Sequence, residues 1–176
     1  TRGWAMFAAC VAVSMLSKYA LVVGDRHLFN PSNLGLVVCF LVFGTGRVNP
    51  LDFWWAPMSP AMAAAYVVIG LGGLTLARRV EMVPVVAAFW VAFAAALAVV
   101  AAGGHAMNAR WHVGPVTDWD FWWVVVTSPE VLVFMFFMIT DPRTVPRGRV
   151  ARVAYGVTVG LASALLAAPQ QTEFAT

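Results

Sequence analysis

Six apolar runs divide the chain, Trp4 to Val23, Leu34 to Phe43, Ala61 to Ala77, Val85 to Ala102, Phe121 to Ile139 and Val150 to Ala168, and polar or interfacial loops join them. With 61% hydrophobic residues, 11% charged residues and a mean hydropathy of +0.81, the chain carries too little charge for an ordinary soluble domain. The runs read as transmembrane helices, and the expected fold is an all-α, polytopic membrane helical bundle occupying residues 1–176 as a single transmembrane domain. Three runs are long enough to span outright. Lys18 interrupts the first, and the second and fifth are short or broken. The chain opens at Thr1 and enters a span almost at once, without the basic region and cleavage site of a signal peptide. It therefore reads as part of a longer protein.

The net charge of +3 does not point to nucleic acid, because the basic residues sit in short loops between spans. The positive-inside bias predicts an integral, multi-pass protein of the cytoplasmic membrane, with the Arg78-Arg79 and Arg143 to Arg152 loops facing the cytoplasm. Alternation then puts Lys18 and Arg26 on the same side and leaves Arg2, Arg47 and Arg110 outside, so eight of the eleven basic residues lie inside. Both ends of the chain come out external.

The fifth run is interrupted by Ser128-Pro129-Glu130. Serine caps helices, proline suits a first helical position, and an acid complements the positive end of the helix dipole, so a helix is predicted to start inside the membrane. From there to Thr140 is a dozen residues, roughly 18 Å of helix against a hydrocarbon core of about 30 Å. The second run has the same grammar, with Asn30 as cap and Pro31 in the first turn of a helix ending near Phe43. Each half of the chain is thus a trio of segments with a short or broken middle member. An odd number of crossings would make the second trio run opposite to the first, a 3+3 inverted repeat. The two helix starts would then aim positive dipole ends into the interior, suiting an anionic or electron-rich ligand.

Local features carry bland readings beside sharper ones. Lys18 can snorkel and Tyr19 can sit at the interface. The polar turn Gly24-Asp25-Arg26-His27 would bring backbone into the membrane, which needs protein or a cavity around it. Trp54, Trp55, Trp119, Trp122 and Trp123 form an aromatic belt, and Gly70, Gly72 and Gly73 allow another helix to approach. His105 and His112 read as solvated loop residues before they read as metal ligands. Cys10 and Cys39 have no C-x-x-C spacing and read as small, buried, reduced side chains. As iron–sulfur ligands they would supply only half a four-thiolate set, the rest falling to a partner subunit.

Glu130 is the one acid well inside an apolar run, and is either a proton-coupled functional group or a first-turn acid stabilised by the dipole. Thr140-Asp141-Pro142 is either a binding element or a helix stop, with Asp141 pairing with nearby arginines. Asn30 reads as a structural cap first. The cluster Arg143, Arg147, Arg149 and Arg152 reads as a topology signal, with an acidic partner face or anionic lipid as the alternative.

In order and spacing, Ser17 to Leu166 resembles the RnfD/NqrB membrane subunits of sodium- or proton-coupled electron-transport complexes. The resemblance rests on SKYALVVGDRHLFNPSNLGLVV, with a lysine-bearing span end and an F-N-P signature opening a helix, and on FFMITDPRTVPRGRVARVAYGVTVGL, with T-D-P, a basic loop and a last span. It implies a flavin-bearing subunit passing electrons within a membrane complex, in contact with the lipid bilayer and with other membrane or redox subunits. Asn30, Pro31 and Asn33 match the first signature, and Thr140, Asp141 and Pro142 the second. Many members attach FMN to a threonine in an S-G-A-T-like sequence. This chain has Ser128-Pro129-Glu130-Val131 there, and valine has no hydroxyl to phosphorylate. The expectation is FMN or riboflavin held non-covalently, with Ser128 and Glu130 joining Asn30, Pro31, Asn33, Thr140 and Asp141 as candidate binding residues. Shortened actinobacterial forms that accompany enediyne biosynthesis are the narrower resemblance.

Three functions compete: a flavin-holding redox module, a transporter or channel built on the same half-helices, and a cofactor-free scaffold. No nucleophile–base pair, phosphate loop or metal-ligand cluster supports a hydrolase or a transferase.

Overall fold

The computed structural model describes residues 3–23, 26–27, 30–43, 58–108 and 113–167; for Gly3, Arg26, Ser32, Asn33, Phe40 and Ala167 it describes the backbone alone. The loop tryptophans Trp54 and Trp55, together with Phe29, Arg110, His112 and the Gly24-Asp25 pair, lie outside these residues. The chain packs as two compact units, Thr1–Pro50 and Leu51–Thr176.

In the first unit, α1 (Gly3–Ala20) and α2 (Pro31–Phe43) pack against each other. Two short antiparallel strands lie between them, β1 (Val22–Val23) and β2 (Arg26–His27), with Val22 opposite His27 and Val23 opposite Arg26. Helix α1 stops at Ala20, just past Ser17-Lys18-Tyr19, and the hairpin pairs backbone groups of the polar turn that would otherwise need water. A Cβ on Gly35 of α2 would collide with the Ser14 hydroxyl and lie 2.7 Å from the Cys10 carbonyl oxygen, so the two backbones are nearly in contact there.

The second unit begins with α3 (Pro60–Arg79), capped by the Ser59 side chain, which accepts the Met62 N–H at 3.2 Å. A tight turn leads to α4 (Val83–Ala102), and Glu81 within it has φ 57. Strands β3 (Ala106–Met107) and β4 (Val116–Thr117) pair antiparallel before α5 (Asp118–Val126). After Thr127 and Ser128 come α6 (Pro129–Val133), a π-helical segment (Phe134–Met138), a turn, and α7 (Arg149–Ala167).

Each of the six apolar runs is helical over most of its length. The helices long and apolar enough to cross a membrane are Pro60–Arg79, Val83–Ala102 and Arg149–Leu166; α5 with Pro129–Met138 is a fourth candidate if that pair, bent by 40°, is one span. Large apolar side chains on their outer faces, such as Val68 at 71%, Val99 at 73% and Leu165 at 72% exposure, meet lipid rather than water in such a protein.

The most extensive helix pairing in the second unit is α4 with α7, while its buried core is drawn mainly from α4, α5, α6 and the π-helical segment. A Cβ on Gly156 would lie 2.7 Å from the Val85 carbonyl oxygen, and one on Gly160 2.7 Å from that of Phe89. Contacts that advance together along both helices make them parallel. These two glycines, four apart, are the close-approach pair in this unit. Of the three glycines singled out from the sequence, only Gly73 meets a neighbour, the Phe136 ring; a methyl group at Gly70 or Gly72 would have nothing within 4 Å. The Arg152 guanidinium donates to the Glu81 carbonyl at 3.0 Å, tying the start of α7 to the α3–α4 turn. The two arginine-bearing loops therefore lie at the same end of this unit.

Candidate functional site

The break in the fifth run places a buried polar residue, Ser128, inside the helical part of the second unit. Val126 ends α5, and Ser128, fully buried, takes extended backbone angles (φ −60, ψ 144) before α6 begins. Its hydroxyl accepts the Val131 N–H at 3.4 Å and its carbonyl accepts the Leu132 N–H at 3.1 Å. Pro129 has no N–H to satisfy, so the helix start is closed by local chemistry, as Ser128-Pro129 predicts.

Tyr66 of α3 completes the arrangement. Its hydroxyl donates to the Thr127 carbonyl at 2.7 Å, while the Thr127 hydroxyl donates to the Trp123 carbonyl at 2.6 Å. Glu130 is half-buried in the first turn of α6, with Oε2 out of solvent, and lies close enough to Tyr66 to interact with it electrostatically. Tyr66 is six residues beyond Pro60, about 9 Å along its helix. Sequence reasoning misses Tyr66. Its signal is a lone phenol in an alanine-rich span, where a buried hydroxyl needs a partner.

Thr140 and Asp141 stand at the other end of the half-span. Thr140, 4% exposed, donates through its hydroxyl to the Phe136 carbonyl at 2.7 Å. Asp141 accepts the Arg143 backbone N–H at 3.0 Å, so its neighbouring arginine is engaged through the main chain, and its own carbonyl accepts from the Thr144 hydroxyl at 3.1 Å. These bonds close the π-helical segment and start the turn, so Thr140-Asp141-Pro142 acts here as a helix stop. Roughly 15 Å of helix separates it from Ser128. Within the second unit the four candidate residues fall at two places. Ser128 and Glu130 share the break, Thr140 and Asp141 share the stop, and Asn30, Pro31 and Asn33 belong to the first unit. In that unit the Asn30 carbonyl accepts the Leu34 N–H at 3.0 Å, and Pro31 is the first residue of α2.

The half-span is not α-helical throughout. The Ile139 N–H reaches back five residues to the Phe134 carbonyl at 3.0 Å, and the wider turn seats Phe136 on Gly73. His105 packs on Phe121 with ring centroids 5.0 Å apart, in the connection between α4 and α5. Among the described residues no group of three or more His, Cys, Asp or Glu could hold a metal. A small pocket lined by Ala98, Ala101, Ala102, Asp118 and Trp119 lies at the far end of α5 from the break. Cys10 and Cys39 are both free, and their side chains lie within hydrogen-bonding reach of each other.

These features define a class, a helical protein suited to membrane insertion, with one candidate span broken at buried polar groups. No protein-family profile matches the chain, and no curated protein or solved structure matches it either.

Proposed function

We propose that the protein is an RnfD/NqrB-like integral membrane subunit, with six membrane segments in two inverted trios and its arginine-rich loops in the cytoplasm, and that it holds a flavin non-covalently and relays electrons to partner subunits. The observation that carries this reading is the break at Thr127–Glu130, where the buried Ser128, the half-buried Glu130 and the Tyr66–Thr127 hydrogen bond place polar groups in an otherwise apolar stretch. Intramembrane acids are costly to bury and are retained for function.

The residues at the break fit the ring end of a flavin better than its phosphate. The Glu130 carboxylate can accept an imide N–H. The buried Ser128 hydroxyl accepts from Val131 and holds the first turn of α6, and so positions Glu130. No lysine or arginine occurs between Arg110 and Arg143 to meet a phosphate, which favours riboflavin over FMN at this place. Val131 carries no hydroxyl for a phosphoester, which favours non-covalent binding. When bound, the flavin would supply one- and two-electron transfer; the protein's part is to orient the ring and exclude water from it.

The test is the absorption spectrum and extractable cofactor of the full chain purified in mild detergent with its membrane partners. A yellow preparation whose flavin falls well below stoichiometric in Ser128→Ala and Glu130→Gln supports the reading, whereas a colourless wild type overturns it. Colourless protein that takes up a solute in proteoliposomes would instead make the break a transport site.

A further inference from the structure

The two cysteines lie far apart in sequence but together in space. Cys10 is 14 residues before Gly24, Cys39 is 14 after Asp25, and the β1–β2 hairpin is centred on that same pair. The helices keep the hairpin's register: Gly35 meets Ser14, and one turn further along α2 Cys39 meets Cys10. Gly35 lets the backbones come close, and the two thiols interact side chain to side chain, the adjacency from which a disulfide can form. The two thiols are not equivalent. Cys39 is 4% exposed and Cys10 is half-buried, on a helix whose outer face carries Trp4, Phe7 and Val11 at 72%, 75% and 60% exposure.

We propose that Cys10 and Cys39 are a peroxide-reactive dithiol, with Cys10 the attacking sulfur and Cys39 the resolving one, and that the oxidant is an organic hydroperoxide dissolved in the lipid. The apolar surroundings favour an oxidant that partitions into the bilayer over one carried in water. In the first step the Cys10 sulfur takes the terminal hydroperoxide oxygen, the O–O bond breaks, and the thiol proton leaves with the alkoxide as an alcohol. Cys10 is then a sulfenic acid. The Cys39 sulfur displaces its hydroxyl, an S–S bond forms, and the Cys39 proton departs with that hydroxyl as water. Two thiols and one hydroperoxide give one disulfide, one alcohol and one water. The product is neutral, so no charge is left in the apolar layer. This inference rests on the first unit alone and is independent of the flavin reading.

The experiment uses the full chain, reduced and reconstituted in lipid nanodiscs, exposed to cumene hydroperoxide or hydrogen peroxide at equal concentration, then alkylated and mapped by mass spectrometry. The expected result is loss of both alkylatable thiols and a Cys10–Cys39 linked peptide, formed faster with cumene hydroperoxide. Cys39→Ser should leave a sulfenic acid on Cys10 that dimedone traps, while Cys10→Ser should leave Cys39 free. Two thiols still alkylatable in wild type, or Cys10 over-oxidised without a cross-link, would overturn the proposal. Faster cross-linking by hydrogen peroxide would overturn the lipid-phase oxidant, and dimedone labelling of Cys39 in Cys10→Ser would overturn the assigned roles.

Discussion

The Tyr66 hydroxyl donates a 2.7 Å hydrogen bond to the Thr127 carbonyl, joining α3 to the point where the fifth apolar run is interrupted. That carbonyl has lost the helical N–H it would meet in an unbroken helix, because Pro129 and the extended Ser128 end the ladder there. The bond thus stabilises a discontinuity as well as a contact between helices.

Tyr66→Phe keeps the ring and removes the donor. Leaving a partly buried carbonyl unmet costs about 1–3 kcal/mol, so the variant should unfold at lower denaturant or temperature in detergent. A transition indistinguishable from wild type would mean that water or lipid headgroups satisfy Thr127 instead.

Gly156→Val and Gly160→Val place side chains against the Val85 and Phe89 carbonyls and should cost several kcal/mol or abolish the monodisperse fold. Gly70→Ala and Gly72→Ala, in open space, should stay within about 0.5 kcal/mol of wild type or gain slightly from helix propensity. Equal effects at both pairs, measured by tryptophan fluorescence on heating, would refute the parallel α4–α7 contact.

Gly73→Ala collides with the Phe136 ring, and Phe136→Ala removes the obstacle. The double variant should therefore recover part of the loss, with a coupling of roughly 0.5–3 kcal/mol in a double-mutant cycle. Strict additivity would separate the π-helical turn from α3.

Asp141→Asn keeps the oxygen that accepts the Arg143 N–H and should change stability little, whereas Asp141→Ala should cost about 1 kcal/mol. If Asp141→Asn instead emptied a flavin-loaded protein without shifting its unfolding transition, the stop would carry a binding charge as well.

How much of this is legible in the sequence depends on how local the cause is. The helix start at Ser128-Pro129 can be read because capping is settled by adjacent residues, and the three long helices because each run shows its length directly. The π-helical turn cannot be read, since its wider turn goes with the seating of Phe136 on Gly73, 63 positions earlier in the chain. Strands of two residues leave too short a pattern to detect, so β1, β2, β3 and β4 escape a reading by periodicity. Gly156 and Gly160 stand in plain view at the spacing that close helix packing uses, yet Gly70, Gly72 and Gly73 are the more conspicuous cluster. Thr140-Asp141-Pro142 is open in the sequence between a binding element and a stop, and the Thr140 and Asp141 hydrogen bonds provide the stop. Tyr66 and the adjacency of the two cysteines depend on tertiary register, which no single segment encodes.

The shared direction of α4 and α7 constrains everything between them. A chain that leaves one face along α4 and departs from that same starting face again along α7 must first return through the bilayer an odd number of times. Among the described residues between them, one stretch is apolar enough for the journey, the bent pair α5 and Pro129–Met138. If α4 and α7 are both crossings, that pair is a through-passage and not a loop dipping in and out of one leaflet, and the buried Ser128 lies within a crossing.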